Sequence, residues 1–180
     1  MPELPEVETI RLELAPHITS RSITGLTFLW KGIIADASEE EFRARILGQE
    51  ITGLYRRGKY LALRLSSGDS LIIHLRMTGS LLLKSGAAQP EKFVRAVIYL
   101  DGDMAIHFRD PRKFGLMWLC HNPDSLDKKL GAEPLEASFT ADVLSRLMDK
   151  RKAPVKALLL EQKLIAGIGN MYADESLFSA

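Results

Sequence analysis

The chain opens Met1-Pro2-Glu3-Leu4-Pro5-Glu6, and methionine is normally removed when a residue as small as proline follows it. Removal leaves Pro2 with a free secondary amine. Such an amine has a pKa within reach of neutrality and can attack an electrophilic carbon, as lysine does in Schiff-base enzymes. Glu3 adjoins it and Glu6 lies one helical turn on. A carboxylic acid there can protonate a leaving group or an opening ring. The plainer reading is that Pro2 starts a helix and the acids complement its dipole.

Three further clusters carry charge or unusual side chains. In Tyr55-Arg56-Arg57-Gly58-Lys59-Tyr60, basic residues flank a glycine at a strand entry, where backbone can approach a phosphate and Lys59 supplies a point charge. The same pattern also suits a charged hairpin end. His74-Leu75-Arg76-Met77-Thr78-Gly79-Ser80 places a long flexible side chain at a strand end, so Met77 is either core filler or a wedge for a base stack. Arg109-Asp110-Pro111-Arg112-Lys113-Phe114-Gly115 is a rigid turn with three cations and an aromatic. An exposed Phe114 beside Arg112 could fill the hole left by an extruded nucleotide. Otherwise Phe114 is tucked into the core, and Asp110 pairs with a neighbouring arginine.

A fourth stretch, Lys163 to Ala173, contains the turn Gly167-Ile168-Gly169-Asn170. Its glycines free backbone N–H groups and Asn170 opens a helix, where a phosphate is a natural occupant. Alternatively Asn170 is only an N-cap. No P-loop, dinucleotide fingerprint or zinc-protease motif occurs, and His17, His74, His107 and His121 lack metal-ligand spacing.

The elements that must position these groups fall into two parts. Pro5–Leu14 reads as a helix stopped by Pro16. Seven short runs, Ile23–Trp30, Tyr60–Leu65, Ser70–Leu75, Ser80–Leu83, Phe93–Leu100, Met104–Arg109 and Gly115–Leu119, read as antiparallel strands of a sandwich or barrel. Glu39–Leu47 adds a helix. Past Gly131-Ala132-Glu133-Pro134 the period turns helical, with segments at Phe139–Lys150, Val155–Leu160 and Met171–Phe178. The expected division is a β-rich domain over 1–130 and a helical segment over 131–180.

Charge is uneven although the net is +1. Residues 1–50 hold five Lys/Arg and nine Asp/Glu, residues 51–119 eleven and five, and residues 120–180 eight and nine. The middle third can present a basic face to a polyanion or simply a solvated sheet surface. No apolar run approaches the ~20 residues that span a bilayer. The acidic, proline-bearing start is no secretory leader. The single cysteine, Cys120, makes no internal disulfide and suits a reducing cytoplasm.

Taken in order, Met1–Thr9, Lys59, His74–Ser80, Asp110–Gly115 and the Gly167–Ala173 turn resemble the formamidopyrimidine-DNA glycosylases. Leu4 favours that group over its endonuclease VIII sisters, which usually open Pro-Glu-Gly-Pro. The resemblance spans all 180 residues and implies an α+β fold, an antiparallel β-sandwich with an N-terminal helix followed by a helix-two-turn-helix domain that is incomplete here. It implies that Pro2 attacks C1′ of an oxidised-purine nucleotide in double-stranded DNA, that Glu3 is the general acid/base, and that β- and δ-elimination follow. Lys59, His74 and Asn170 would bind phosphates, with Arg109 and Lys156 as further DNA contacts. Met77, Arg112 and Phe114 would fill the void, Arg112 facing the orphaned cytosine. Glu6 and Glu175 would lie at the base pocket. The second helix of the family's helix-two-turn-helix unit, its base-covering loop and its four-cysteine zinc finger would need ~90 more residues, so no cofactor or metal is expected on this chain. A bacterial, cytoplasmic, nucleoid-associated monomer is the expected setting. Two other readings remain, a damaged-DNA-binding protein without turnover and an N-terminal-proline enzyme acting on small carbonyl compounds.

Overall fold

A computed structural model describes residues 2–121 and 126–180. Met1, whose removal the nucleophile reading requires, lies outside the described residues. Helix α1 (Leu4–Ile18) carries Pro5 in its first turn and buries Leu4, Val7, Leu14 and Ile18. It runs past Pro16, against expectation. Proline removes one ladder bond, but Leu14 and Ile18 gain burial on either side of it. The carbonyl left without its ladder donor is that of Leu12, an exposed residue, and the last turn closes with the N–H and hydroxyl of Thr19 on the Ala15 carbonyl.

Eight antiparallel strands follow: β1 (Ile23–Phe28), β2 (Ile51–Arg57), β3 (Tyr60–Leu65), β4 (Ser70–His74), β5 (Ser80–Ser85), β6 (Val94–Leu100), β7 (Met104–Arg109) and β8 (Leu116–Cys120). Helix α2 (Glu39–Ile46), N-capped by the Ser38 hydroxyl, inserts between β1 and β2. Two four-stranded sheets result, ordered β1-β6-β7-β5 and β2-β3-β4-β8. Alternate residues point inward, so Leu26, Ile98, Ile106, Phe108 and Leu81 of one sheet meet Leu54, Leu61, Leu63, Leu71 and Ile73 of the other, with Val7 and Ile18 of α1. Strand β2 is the one the sequence pattern missed. Gly53 interrupts its apolar alternation and Arg56-Arg57 make its end read as a loop. The basic cluster is therefore a hairpin, Arg57 pairing with Tyr60 across Gly58-Lys59, with Gly58 at φ +55°.

Among the described residues three more α-helices follow: α3 (Ala141–Met148), α4 (Val155–Leu160) and α5 (Asn170–Ser179). They close on a small second core of Leu158, Leu159, Leu164, Ile165 and Ala173. A parallel bridge, Ala132 to Ile165, fastens the segment leaving the sheets to the segment entering the glycine turn.

Candidate active site

The two cores meet where the N-terminus, the β2–β3 hairpin and the glycine turn converge. A buried ionic network holds that junction. Glu133 accepts hydrogen bonds from Arg56 (2.7 Å), from Arg57 (2.8 Å) and from the backbone N–H of Gly58. Arg56 also donates to Glu8 of α1 at 2.8 Å, and Arg57 to the carbonyl of Gly131 at 2.7 Å. Glu133 is 6% exposed, a cost met only because its partners satisfy both oxygens. The network thus seats Gly58 against Ala166 and Gly167 and delivers the next residue, Lys59, to the cleft.

That cleft has a volume of about 460 Å³. Pro2, Lys59, His74, Met77 and Asn170 line it, together with Tyr60, Arg76 and Gln162. Burial pulls the Lys59 pKa below the ordinary lysine value, with the charge of Glu3 opposing. His74 is lowered to about 4, first by burial and then by Arg76 and Lys59. It is therefore neutral at physiological pH. The Arg76 backbone N–H donates to its Nδ1 at 3.0 Å, which leaves the proton on Nε2. Tyr60 packs edge-on against the imidazole, ring centroids 4.6 Å apart.

Glu3 does not line the cleft. It is 1% exposed and its carboxylate accepts from the backbone N–H groups of Gly169 (2.6 Å), Met171 (3.1 Å) and Tyr172 (3.4 Å). The anion on the first turn of α5 is therefore the protein's own carboxylate rather than a phosphate. The cap of α5 is Gly169, with Asn170 the first helical residue. A Cβ on Gly169 would stand 2.4 Å from the Glu3 carboxyl carbon, which is why the turn needs glycine there. Glu6 supports the arrangement from below, accepting from the Glu3 N–H (2.9 Å) and the Tyr172 hydroxyl (2.6 Å). Burial opposes ionisation of Glu6, but those hydrogen bonds hold its carboxyl below the usual range. Tyr172 in turn is pushed up to about 12, mainly by the bond to Glu6.

At the mouth of the cleft lie Met77 and Phe114, 43% and 46% exposed. Neither is core filler. Arg112 joins them, its guanidinium 3.3 Å from the Met77 sulfur and 4.7 Å from the centre of the Phe114 ring. Asp110 builds this loop. Buried to 1% exposure, it accepts from the Thr78 hydroxyl and from the N–H groups of Arg112 (3.2 Å), Phe114 (2.7 Å) and Gly115 (2.8 Å). Burial resists its charge, yet the hydrogen bonds keep its carboxyl below the ordinary aspartate value. The expected Asp110–arginine ion pair gives way to these backbone bonds. Arg95 instead donates to the carbonyls of Asp110 (2.7 Å) and Pro111 (3.3 Å).

Three expected contacts sit apart from the cleft. Arg109 stands over the ring of Phe93 at 5.6 Å, Lys156 pairs with Asp174 at 2.6 Å, and Glu175 is exposed on α5. Conversely, Glu133, Gln162 and Tyr172 were given no role by sequence reasoning. The partners of Glu133 and Tyr172 lie on other elements, and those of Gln162, although two to six residues away, are backbone groups that no sequence pattern announces. Among the described residues no group of three or more His, Cys, Asp or Glu could hold a metal ion, and one cysteine cannot supply a four-cysteine zinc site. Among the described residues no helix is long and apolar enough to cross a membrane.

Comparison with known proteins converges on one family. The model of the formamidopyrimidine-DNA glycosylase N-terminal domain matches residues 1–117, and that of the family's H2TH domain matches residues 130–180. The chain is 44% identical to the formamidopyrimidine-DNA glycosylase of Desulfitobacterium hafniense and 45% identical to that of Carboxydothermus hydrogenoformans. All of this chain aligns in both cases, with 67% and 66% of theirs, so it spans about two thirds of its relatives' length. Among solved structures, Lactococcus lactis Fpg in complex with DNA containing an abasic site superposes with a TM-score of 0.88 at 35% identity, over 97% of this chain and 65% of the other. A second complex of the Lactococcus lactis protein, with DNA containing Fapy-dG, matches equally. On sequence and on architecture alike, the chain belongs to the formamidopyrimidine-DNA glycosylase family.

Proposed function

We propose that this chain carries the nucleophile half of a DNA glycosylase with abasic-site lyase activity, acting on double-stranded DNA that contains an oxidised purine or an abasic site. One observation supports the reading above the others. A single cleft gathers Pro2, Lys59, His74 and Asn170, and a wedge of Met77, Arg112 and Phe114 stands at its mouth.

In this reading the Pro2 amine, freed of Met1, attacks C1′ of an extruded nucleotide. The glycosidic bond breaks and the base leaves with its electron pair. Ring opening and loss of the amine proton give an iminium, from which β- and then δ-elimination expel the 3′ and 5′ phosphates. Lys59 and the Nε2–H of neutral His74 receive flanking phosphates, as does the exposed Asn170 side chain. The wedge fills the vacated stack. Glu3 serves as proton carrier from a carboxylate already seated on α5. The reading divides the chain at about residue 130 and places it as a monomer in the bacterial cytoplasm. No step runs through a metal.

Borohydride trapping on a duplex with 8-oxoguanine or an abasic site tests the proposal. A covalent adduct through Pro2 is expected, much reduced in Pro2→Gly and absent when Met1 is retained, because the nitrogen is then an amide. Full trapping by protein that mass spectrometry shows to keep Met1 would overturn the assignment. A binding-only protein would show affinity for the duplex with no adduct under any condition.

A further inference from the structure

We infer that Gln162 is a positioning residue, a three-bond clamp that sets the glycine turn on which the N-terminal nucleophile segment is mounted. The inference rests on the function proposed above. Its side-chain amide donates from Nε2 to the carbonyls of Leu160 (2.9 Å) and Ile168 (2.8 Å), and its Oε1 accepts from the N–H of Gly167 (2.9 Å). Two carbonyls and one N–H admit a single orientation of the amide. The end of α4 is thereby stapled to the middle of the glycine turn.

What the clamp holds explains its importance. Gly167 stands at φ +89°, a conformation in which a side chain is strained, and a Cβ there would lie 2.5 Å from the Leu4 side chain. On its far side the Gly167 carbonyl accepts the Leu4 N–H at 3.0 Å. Gly167 is thus bonded to Gln162 on one face and to the residue following Glu3 on the other. Two residues on, Gly169 begins the run of N–H groups that receives Glu3. The path from Gln162 to Pro2 passes only through these bonds and two peptide units. The Gln162 backbone contributes too, its carbonyl accepting from Gly131 N–H at 2.8 Å, whose own carbonyl binds Arg57.

None of its near-isosteres satisfies the three groups. Asparagine is a methylene short, methionine has the length without the polarity, and glutamate can meet Gly167 but opposes two carbonyls with negative charge. Gln162 therefore acts on the aim of Pro2 rather than on DNA affinity, although it borders the cleft.

Gln162→Met and Gln162→Glu test this in the full chain. In Gln162→Met the amides of Leu4, Gly169 and Met171 should exchange about tenfold faster or more, with Leu61 and Ile73 unchanged, since losing two or three hydrogen bonds loosens the turn. The borohydride-trapping rate should fall by about tenfold or more, while affinity for a duplex with a tetrahydrofuran abasic analogue stays within about threefold. Gln162→Glu regains one donor when protonated, and a carboxyl facing carbonyls titrates above the ordinary value of about 4.3. Its trapping rate relative to wild type should therefore climb as pH falls from about 7.5 to about 5.5. Unchanged protection of Leu4, Gly169 and Met171 in Gln162→Met would overturn the inference, as would a ratio for Gln162→Glu that is flat with pH. Should Gln162→Met unfold, the exchange and pH response of Gln162→Glu decide. If wild type traps on no lesion, the proposed function fails, and amide exchange still judges Gln162.

Discussion

Two loops of this molecule are each organised by a buried carboxylate that accepts backbone N–H groups, and they differ in where the carboxylate comes from. Asp110 serves residues two to five places along its own loop. Glu3 serves a helix start 166 to 169 residues away. Each needs a glycine for close approach: a Cβ on Gly115 would strike the Phe108 ring at 2.5 Å, as one on Gly169 would strike Glu3. Charge-assisted bonds of this kind are about twice as strong as neutral ones. The local carboxylate shapes a wedge that can fail without the rest. The distant one joins the nucleophile's segment to the helical unit, so its failure spreads to both.

Removing Glu3 should therefore have the largest effect. Glu3→Ala leaves three buried or part-buried N–H groups without an acceptor, a loss of about 3 kcal/mol or more by the cost of unmade bonds. It should also abolish trapping, because the segment bearing Pro2 comes adrift. Glu3→Gln is nearly as severe for stability, since its amide turns an NH2 toward the donors. Chemical denaturation alongside trapping measures both losses. Wild-type stability with lost trapping would show that Glu3 acts through proton transfer alone.

Asp110→Asn should come second, at about 2 kcal/mol, and its damage should stay local. Affinity for lesion duplex is expected to drop about tenfold as the Met77–Arg112–Phe114 wedge loses its frame, with the trapping rate at saturating protein little changed. A proportionate loss of trapping would dissolve the distinction between the two carboxylates.

His74 gives a smaller, pH-dependent effect. Its folded pKa of about 4 lies below the unfolded value of 6.5. Between those values the unfolded chain binds the extra proton, so stability rises with pH across that window and is lost as pH falls through it. The full span is at most about 3 kcal/mol. His74→Gln, which does not titrate, should flatten the stability profile from pH 6.5 to 4. An unchanged profile would mean that imidazole is not the buried group responsible.

The same contrast explains what the sequence revealed. The Asp110 loop was legible as a rigid cationic turn because all its parts are contiguous, and Lys59, His74 and Met77 were legible as strand ends. Glu3 was legible as a candidate acid, but the site of its anchoring was not. Its partners are backbone amides of Gly169 and Met171, which every sequence contains. Strand β2 was obscured by Gly53 and by charges whose purpose, binding Glu8 and Glu133, lies on other elements. Contiguous charged side chains leave a pattern in the chain, whereas bonds to distant groups, or to backbone as at Gln162, leave only an unexplained polar residue.

The smallest prediction concerns Lys156, which lies outside the cleft and pairs with Asp174 at 2.6 Å on side chains 42% and 61% exposed. An ion pair so exposed contributes roughly 0–1 kcal/mol to stability. If Lys156 is also to meet a DNA phosphate, it must first leave Asp174, so the acid competes with the DNA. Lys156→Ala should accordingly weaken duplex binding by only about threefold and lower the salt slope by about one. Asp174→Asn should strengthen binding by a similar factor at low salt, and the gain should fade toward high salt as screening grows. In the double variant the Asp174 gain should vanish, because its competitor is gone. Equal affinities for all four proteins across the salt series would leave Lys156 a surface ion pair and confine phosphate recognition to Lys59, His74 and Asn170.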